Sequence, residues 1–198
     1  MFIKDWKKDI FTVPNALSLF RLALIPVYVV MYLSAVTTTD YYLAAAVLAV
    51  SCLTDMIDGK IARHFNMIST VGKVLDPFAD KATQFTLIVC LAVNYPHLWY
   101  LVGLFAVKEI FQLIAGLVNL KKGKMLKGAL MSGKICTTVL FLSLIVMVMV
   151  PRTYLSPKTV DIIAIVDAIF LVFAFYRYAR AYFSQDPRYL MNETPEQD

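Results

Sequence analysis

The sequence predicts an all-α integral membrane protein with six transmembrane helices and a short N-terminal interfacial helix. Residues of the apolar set AVILMFWYC make up 60 % of the 198 positions, charged residues make up only 17 %, and the mean hydropathy is +0.68. A soluble domain of this size carries about a quarter charged residues, because it must wet its surface. The same hydrophobicity excludes a disordered chain.

Six apolar stretches define the elements, and each is near the roughly 20 residues that a spanning helix needs. They cover residues 15–36, 41–62, 73–94, 98–120, 130–150 and 160–182. Turn and loop residues separate them, as in residues 37–40 and 151–157. The expected organisation is therefore an interfacial helix over residues 1–11, a six-helix membrane domain over 12–184 and a polar C-terminal tail over 185–198.

The N-terminal region supports the first of these elements. Residues 1–11 combine Phe2, Ile3, Trp6 and Ile10 with three lysines, a pattern typical of a helix that lies in the membrane interface. The first 35 residues also resemble a cleavable signal peptide, but charged residues interrupt them and five more stretches follow. We expect the first stretch to be a span.

The charge distribution predicts the orientation in the membrane. The formal net charge is +5, which in a membrane protein indicates basic cytoplasmic loops beside anionic lipids rather than nucleic-acid binding. Of the 19 Lys and Arg residues, 17 lie on one side or lean towards it, since the opposite loops hold only Arg152 and Lys158. The sequence thus predicts a multi-pass protein of a bacterial-type inner membrane, with both termini cytoplasmic and no nucleic-acid partner.

Four aspartates interrupt the apolar pattern at one end of neighbouring spans. Asp55 and Asp58 end the second stretch, and Asp76 and Asp80 begin the third. A carboxylate at the bilayer centre costs about 2.5–3.5 kcal/mol on insertion scales, so such residues are functional candidates. Their i, i+3 and i, i+4 spacings place each pair on one helix face. The short connection makes the two helices antiparallel neighbours, so the four carboxylates converge near the cytoplasmic interface.

Four negative charges in a small site must be compensated. Two divalent ions such as Mg²⁺ or Mn²⁺ are one solution, because they prefer hard oxygen ligands. A network of ion pairs with Lys60, Arg63, Lys73 and Lys81 is the other. We favour metal ions, because Lys81 points about 100° away from Asp80 around the helix.

Eight residues at fixed spacing resemble the signature of the CDP-alcohol phosphatidyltransferase family. They are Asp55, Asp58, Gly59, Ala62, Arg63, Gly72, Asp76 and Asp80. The resemblance implies that Asp55, Asp58, Asp76 and Asp80 hold two divalent metal ions. It also implies that Asp80 takes the proton from an acceptor hydroxyl, which attacks CDP-diacylglycerol and releases CMP. Carried over in the same way, the residues that contact the CDP-lipid are Asn15, Ser18, Gly59, Ala62, Arg63, Ser69 and Gly72.

The acceptor is indicated by further resemblances within the family. The string Leu75-Asp76-Pro77-Phe78-Ala79-Asp80-Lys81 is similar to the phosphatidylglycerophosphate synthase branch, which implies glycerol 3-phosphate as acceptor. Two positions depart from that branch, because Lys108 stands for an expected Arg and Cys136 for a frequent Lys. Basic residues at cytoplasmic helix ends are the candidates for binding the acceptor phosphate. They are Lys108, Lys134, Arg177 and Arg180.

Other interpretations stay open. Phosphatidylglycerol, as in a cardiolipin synthase reaction, and inositol phosphate are alternative acceptors for the same reaction class. A transporter would also use intramembrane acids, but it typically carries inverted repeats, which this sequence does not contain. The family resemblance also implies a homodimer. We expect Glu109 to pair with Lys108, and His97 to lie at the interface without a paired partner.

Overall fold

The computed structural model describes residues 12–64, 72–121, 124–126, 131–151, 154–183 and 190–192. At some of these positions, including 58–64 in the second helix, it describes the backbone alone. The expected interfacial helix over residues 1–11 lies outside the described residues.

Within these ranges the chain forms six long α-helices. They are α1 (Val13–Leu33), α2 (Thr38–His64), α3 (Gly72–Asn94), α4 (Trp99–Lys121), α5 (Met131–Met149) and α6 (Pro157–Phe183). A 3₁₀ turn, Pro96–Leu98, leads into α4. Each helix overlaps one of the six apolar stretches, so the expectation of a helical protein is confirmed.

Three regions are long and apolar enough to cross a membrane, judged by length and composition. They are Asn15–Leu33, Pro96–Asn119 and Pro157–Phe183, and α5 adds a shorter apolar helix over Gly133–Met149. Helices α2 and α3 carry the aspartates, which lowers their hydropathy. The described helices therefore fit a multi-pass membrane protein, while the count of six spans stays a prediction.

A two-stranded ribbon departs from the all-α expectation. Strand β1 (Lys124–Leu126) pairs antiparallel with β2 (Leu190–Asn192), and Met125 lies opposite Met191. Strand β2 falls within residues 185–198, which the sequence analysis treats as a polar tail. Both segments lie beyond helix ends, where backbone groups without helical partners need other hydrogen bonds and find them across the ribbon.

The chain divides into two compact units. The first ends at Tyr95 and also takes Val146–Leu155, and the second comprises Pro96–Ile145 and the residues from Ser156 onward. In the first unit, α1 packs against α2 and α3. Tyr28 and Tyr32 stack on its buried face with ring centroids 5.6 Å apart, and Tyr41 of α2 meets Tyr32 edge-on. In the second unit, α4 packs against α6.

Helix α2 begins with a reciprocal hydrogen-bonded cap. The Asp40 carboxylate accepts from the Thr37 backbone N–H at 2.7 Å and from that of Val36 at 3.1 Å, while the Thr37 hydroxyl accepts from the Asp40 N–H at 3.3 Å. These bonds, chiefly the one from the Thr37 backbone, lower the pKa of Asp40. Donors at the start of a helix need such partners, so the cap fixes where α2 starts.

Candidate functional site

Arg21 of α1 lies at the centre of the acidic cluster. Its guanidinium Nη2 contacts Asp55 Oδ1 at 2.5 Å, and its Nη1 contacts Asp80 Oδ1. The Arg21 side chain is 3 % exposed, whereas those of Asp55 and Asp80 are 45 % and 47 % exposed. Carboxylates of α2 and α3 therefore meet on one buried cation supplied by a third helix.

Ser18, one turn before Arg21, reaches the third described carboxylate. Its hydroxyl donates to Asp76 Oδ1 at 2.5 Å, and Ser18 itself is fully buried. Asn15 is buried as well. The spacing of Asn15, Ser18 and Arg21 places all three on one face of α1. Ser18 and Arg21 of this polar stripe contact the aspartates of α2 and α3.

Arg21 is a member of the cluster that the sequence analysis does not identify. The available signal was its position inside an apolar stretch, where a charge is costly unless it is paired. The expected alternative cations Lys60, Arg63 and Lys73 have side chains outside the described set. The ion pairs to Asp55 and Asp80 thus come from a helix on which the sequence analysis expects CDP-lipid contacts and no ion-pair partner.

The donor set is chemically suited to a hard divalent cation. Asp55, Asp76 and Asp80 supply carboxylate oxygens, and half of the Asp55 and Asp80 side-chain surface stays open. Among the described residues, no group of three acidic, histidine or cysteine side chains lies close enough together to hold an ion. The Asp58 side chain, the fourth expected ligand, is not part of that set. The residues fit a metal, and metal binding stays a proposal.

The expected CDP-lipid contacts are placed only in part. Ser18 contacts Asp76, Asn15 is buried on the same helix, and Gly72 is buried at the start of α3. Gly59, Ala62 and Arg63 belong to the part of α2 with backbone alone, and Ser69 lies outside the described residues. The structure thus brings Ser18 to Asp76 and leaves the other assignments as predictions.

The four acceptor-phosphate candidates all belong to the second unit. Lys108 is buried, and its Nζ contacts Glu109 Oε1 at 2.6 Å, which confirms the expected local pair. Lys134 of α5 is exposed, and on α6 Arg177 is half-buried and Arg180 exposed. Of the four, Lys108 is the one whose charge has a described acidic partner, so it would have to leave Glu109 to bind a phosphate.

Two of these candidates, Lys134 and Arg177, lie next to a close contact between α5 and α6. A Cβ at Gly133 would lie 2.2 Å from the Tyr178 hydroxyl, so only glycine fits against this buried ring. Lys134 follows Gly133 in sequence, and Arg177 precedes Tyr178, so both candidates lie next to this contact.

The expectation that His97 lacks a partner is wrong. Its Nε2 lies 2.7 Å from Asp161 Oδ1, and both side chains are about half exposed. The partner sits on α6, far along the chain, and only the packing within the second unit reveals it.

These features define a helical membrane protein whose acidic cluster is assembled by three helices of one unit. The sequence profile of the CDP-alcohol phosphatidyltransferase family matches residues 11–176, and the chain belongs to this family. The resemblance carried by the eight spaced residues is thereby confirmed.

Relatives that are named for two different enzymes match part of the chain. CDP-diacylglycerol–glycerol-3-phosphate 3-phosphatidyltransferase of Escherichia coli K12 is 37 % identical over 90 residues, covering 46 % of this chain and 48 % of the relative. A probable CMP-forming cardiolipin synthase of Drosophila melanogaster is 33 % identical over 118 residues, covering 59 % and 35 %. A cardiolipin synthase and mitochondrial hydrolase fusion protein of Schizosaccharomyces pombe is 42 % identical over 89 residues, covering 44 % and 14 %. The chain spans less than half the length of each of these relatives.

Proposed function

We propose that this protein transfers the phosphatidyl group of CDP-diacylglycerol to glycerol 3-phosphate in a metal-dependent reaction that releases CMP. The observation that carries the proposal is the convergence of Asp55, Asp76 and Asp80 on Ser18 and Arg21 in a member of this family. Phosphoryl-group transfer needs charge neutralisation, alignment and a base, and a carboxylate cluster can provide these.

The proposed mechanism assigns separate roles to the acids. Asp55, Asp58, Asp76 and Asp80 hold two Mg²⁺ or Mn²⁺ ions, which when bound neutralise the pyrophosphate of the donor. Asp80 accepts the proton from the acceptor hydroxyl. The acceptor oxygen forms a bond to the phosphorus that bears the diacylglycerol, and the anhydride bond to CMP breaks.

Donor binding is assigned by family resemblance. Asn15, Ser18, Gly59, Ala62, Arg63, Ser69 and Gly72 line the CDP-lipid site in this proposal. The small residues leave space beside the carboxylates, and Arg63 supplies a positive charge for the phosphates. Ser18 is the member whose role needs a test, because its hydroxyl already donates to Asp76.

Glycerol 3-phosphate is the preferred acceptor for two reasons. The E. coli relative carries this acceptor in its name. A small dianion also suits the basic candidates Lys134, Arg177 and Arg180, with Lys108 as a further candidate. A substitution of Lys134 by Ala should then raise the KM for glycerol 3-phosphate more than the KM for CDP-diacylglycerol. Lys121→Ala, which removes an exposed charge at the end of α4, is the matched control.

Phosphatidylglycerol is the second candidate acceptor. Two of the relatives are named as CMP-forming cardiolipin synthases, which favours this acceptor over inositol phosphate. Inositol phosphate suits the basic residues by charge alone. A transporter without enzymatic activity would release no CMP with any acceptor.

The cellular setting belongs to the same proposal. Six spans place the acidic cluster and both termini on the cytoplasmic side of a bacterial-type inner membrane, with membrane lipids around a homodimer. Residues 12–184 form the catalytic membrane domain, flanked by an interfacial helix over 1–11 and a tail over 185–198.

An acceptor screen tests the proposed reaction. Purified protein receives CDP-diacylglycerol, Mg²⁺ or Mn²⁺, and one acceptor at a time, and CMP release is measured. We expect turnover with glycerol 3-phosphate that chelation abolishes reversibly. Turnover with phosphatidylglycerol or inositol phosphate and none with glycerol 3-phosphate would change the acceptor. If no acceptor led to CMP release, the proposed enzymatic activity would be refuted.

Asparagine substitutions test the acids one by one. Replacing Asp55, Asp58, Asp76 or Asp80 by Asn removes one negative charge with little change of shape. Each variant should lose nearly all activity while it elutes as folded protein. Near-normal turnover in any one of the four would remove that residue from the proposed mechanism.

A further inference from the structure

We propose that Arg21 is a positioning residue that fixes Asp55 and Asp80 relative to each other and so prepares the acidic site for divalent metal. The inference rests on the proposed function, because it takes these two carboxylates as metal ligands. It adds a residue that is absent from the eight-residue signature and lies on a helix outside it.

The geometry separates Arg21 from an ordinary surface ion pair. Two different guanidinium nitrogens contact carboxylates on two different helices, Nη2 on Asp55 and Nη1 on Asp80. The planar guanidinium holds its nitrogens at a fixed separation, so it sets the direction and spacing of both partners. A lysine ammonium, as a single point charge on a flexible chain, has no such fork.

Because Arg21 is buried, losing its ion pairs would cost free energy. Arg21 is 2 % exposed and belongs to the apolar segment Asn15–Leu33. A charge in that environment needs full pairing, and removing a partner of such a pair leaves an uncompensated charge. Arg21 therefore keeps one orientation, and Asp55 and Asp80 are held with it.

The exposure of the acids leaves room for a ligand on the other side. The buried Arg21 side chain contacts Asp55 and Asp80, while about half of each acidic side chain stays exposed. Groups that hydrogen-bond metal ligands from behind orient them, and losing such a group typically costs about 10–100-fold in metal affinity. The expected role of Arg21 is this kind of support.

A charge-preserving substitution provides the test. Arg21→Lys keeps the positive charge but loses the fork, so electrostatic attraction and repulsion of metal change little. The full chain in detergent is stripped with chelator, and its thermal unfolding midpoint is followed as Mg²⁺ or Mn²⁺ is added. We expect the metal concentration for half-maximal stabilisation to rise at least about tenfold in Arg21→Lys. Lys121→Arg, a swap at an exposed position, should match the unsubstituted protein.

Two results would count against the proposal, and a third would count against the acceptor alone. If Arg21→Lys lowers the unfolding temperature equally with and without metal and leaves the half-maximal concentration unchanged, Arg21 is structural only. If the unsubstituted protein shows no metal response, the metal site itself is refuted, and this inference with it. If only the acceptor screen fails, the acceptor is wrong and Arg21 keeps its role.

A second variant covers the case in which Arg21→Lys does not fold. Arg21→Ala leaves a space that added ethylguanidinium can enter, and ethylammonium serves as the charge-matched control. Ethylguanidinium should restore the metal response of Arg21→Ala, and ethylammonium should not. Failure of guanidinium to restore either the fold or the metal response would overturn the positioning role.

Discussion

Ser18 has two competing roles at the scale of single residues. Family resemblance places it at the CDP-lipid, whereas its hydroxyl donates to Asp76 at 2.5 Å from a fully buried position. A hydrogen bond to a charged group contributes about 1.5–3 kcal/mol, so either role would be visible in a substitution. The two roles predict weaker binding of different ligands, metal in one case and CDP-diacylglycerol in the other.

Replacing Ser18 by Ala separates these roles. If Ser18 acts through Asp76, the metal concentration needed for half-maximal activity should rise by about tenfold or more, with the KM for CDP-diacylglycerol unchanged at saturating metal. Ser18→Thr keeps a hydroxyl and is the matched control. A raised KM for CDP-diacylglycerol with an unchanged metal requirement would instead assign Ser18 to the donor.

Single residues also show which parts of the site can be predicted from the sequence. The four aspartates stand out because acids at i, i+3 and i, i+4 in an apolar stretch are costly and face one way. Arg21 carries the same cost signal, but its partners Asp55 and Asp80 lie on other helices. Partner choice across helices depends on how α1 rotates against α2 and α3, and periodicity in one helix does not report that rotation.

At the scale of elements, the contact between α5 and α6 at Gly133 predicts a strong effect of a single methyl group. Gly133→Ala would place a Cβ 2.2 Å from the hydroxyl of the buried Tyr178. Overpacking of this kind typically costs about 1–3 kcal/mol, so the thermal unfolding midpoint should fall. The midpoint in detergent is the measurement.

A glycine in α4 supplies the matched control. A Cβ at Gly103 would meet no atom within 4 Å, so Gly103→Ala should leave the unfolding midpoint unchanged or raise it. Adding Tyr178→Phe to Gly133→Ala removes the nearest atom and should recover part of the loss. Equal midpoints for the Gly133 and Gly103 variants would contradict the close contact.

The cap of α2 predicts a pH dependence of stability. Hydrogen bonds from Thr37 and Val36 lower the pKa of the exposed Asp40 carboxyl below its ordinary value of about 3.9. A lowered pKa in the folded protein means that the stabilisation is present above the unfolded value. It is lost as the pH falls through the lower folded value.

Asp40→Asn tests this dependence directly. The difference in unfolding midpoint between the unsubstituted protein and Asp40→Asn should be largest above about pH 4 and shrink as the pH is lowered further. The other titrating groups are common to both proteins, so the difference isolates Asp40. A difference that grows toward low pH would reverse the sign and refute the cap assignment.

The elements themselves are largely readable from sequence, with one clear exception. Hydropathy and length locate all six long helices of the described ranges, because helix formation in apolar stretches is a local property. The ribbon of β1 and β2 is not readable in this way. It pairs Lys124 with Asn192, two positions far apart in sequence, in segments of three residues each. Segments that short carry no periodic signal.

At the scale of the whole molecule, helix lengths predict how deep the acidic cluster lies. The uncharged part of α2 before Asp55 runs over residues 41–54, and that of α3 after Lys81 runs over residues 82–94. At 1.5 Å per residue these lengths are about 20 Å, which is less than the roughly 30 Å of a bilayer core. In the proposed six-span arrangement, helices that start at the opposite boundary of the core would therefore leave the acids about 10 Å inside the hydrocarbon core.

Orientation decides which compartment supplies the reactants, and cysteine labelling tests it. In a background without Cys52, Cys90 and Cys136, single cysteines replace Val36, Tyr154 or Lys121, which are all exposed. Because basic residues concentrate on the other side, Val36 and Tyr154 should react with an impermeant maleimide in intact cells. Lys121→Cys should react only after permeabilisation.

Leu48→Cys, at a buried position of α2, controls for nonspecific reaction and should stay unlabelled in both conditions. Labelling of Lys121→Cys in intact cells would place the basic loops outside and overturn the orientation. The proposed six-span topology puts Asp55 and Asp80 on the same side as the basic loops, so that result would also move the acidic cluster outside. The proposed acceptor, a soluble phosphate ester, is supplied from that side in this topology, and the labelling pattern therefore tests the substrate route as well.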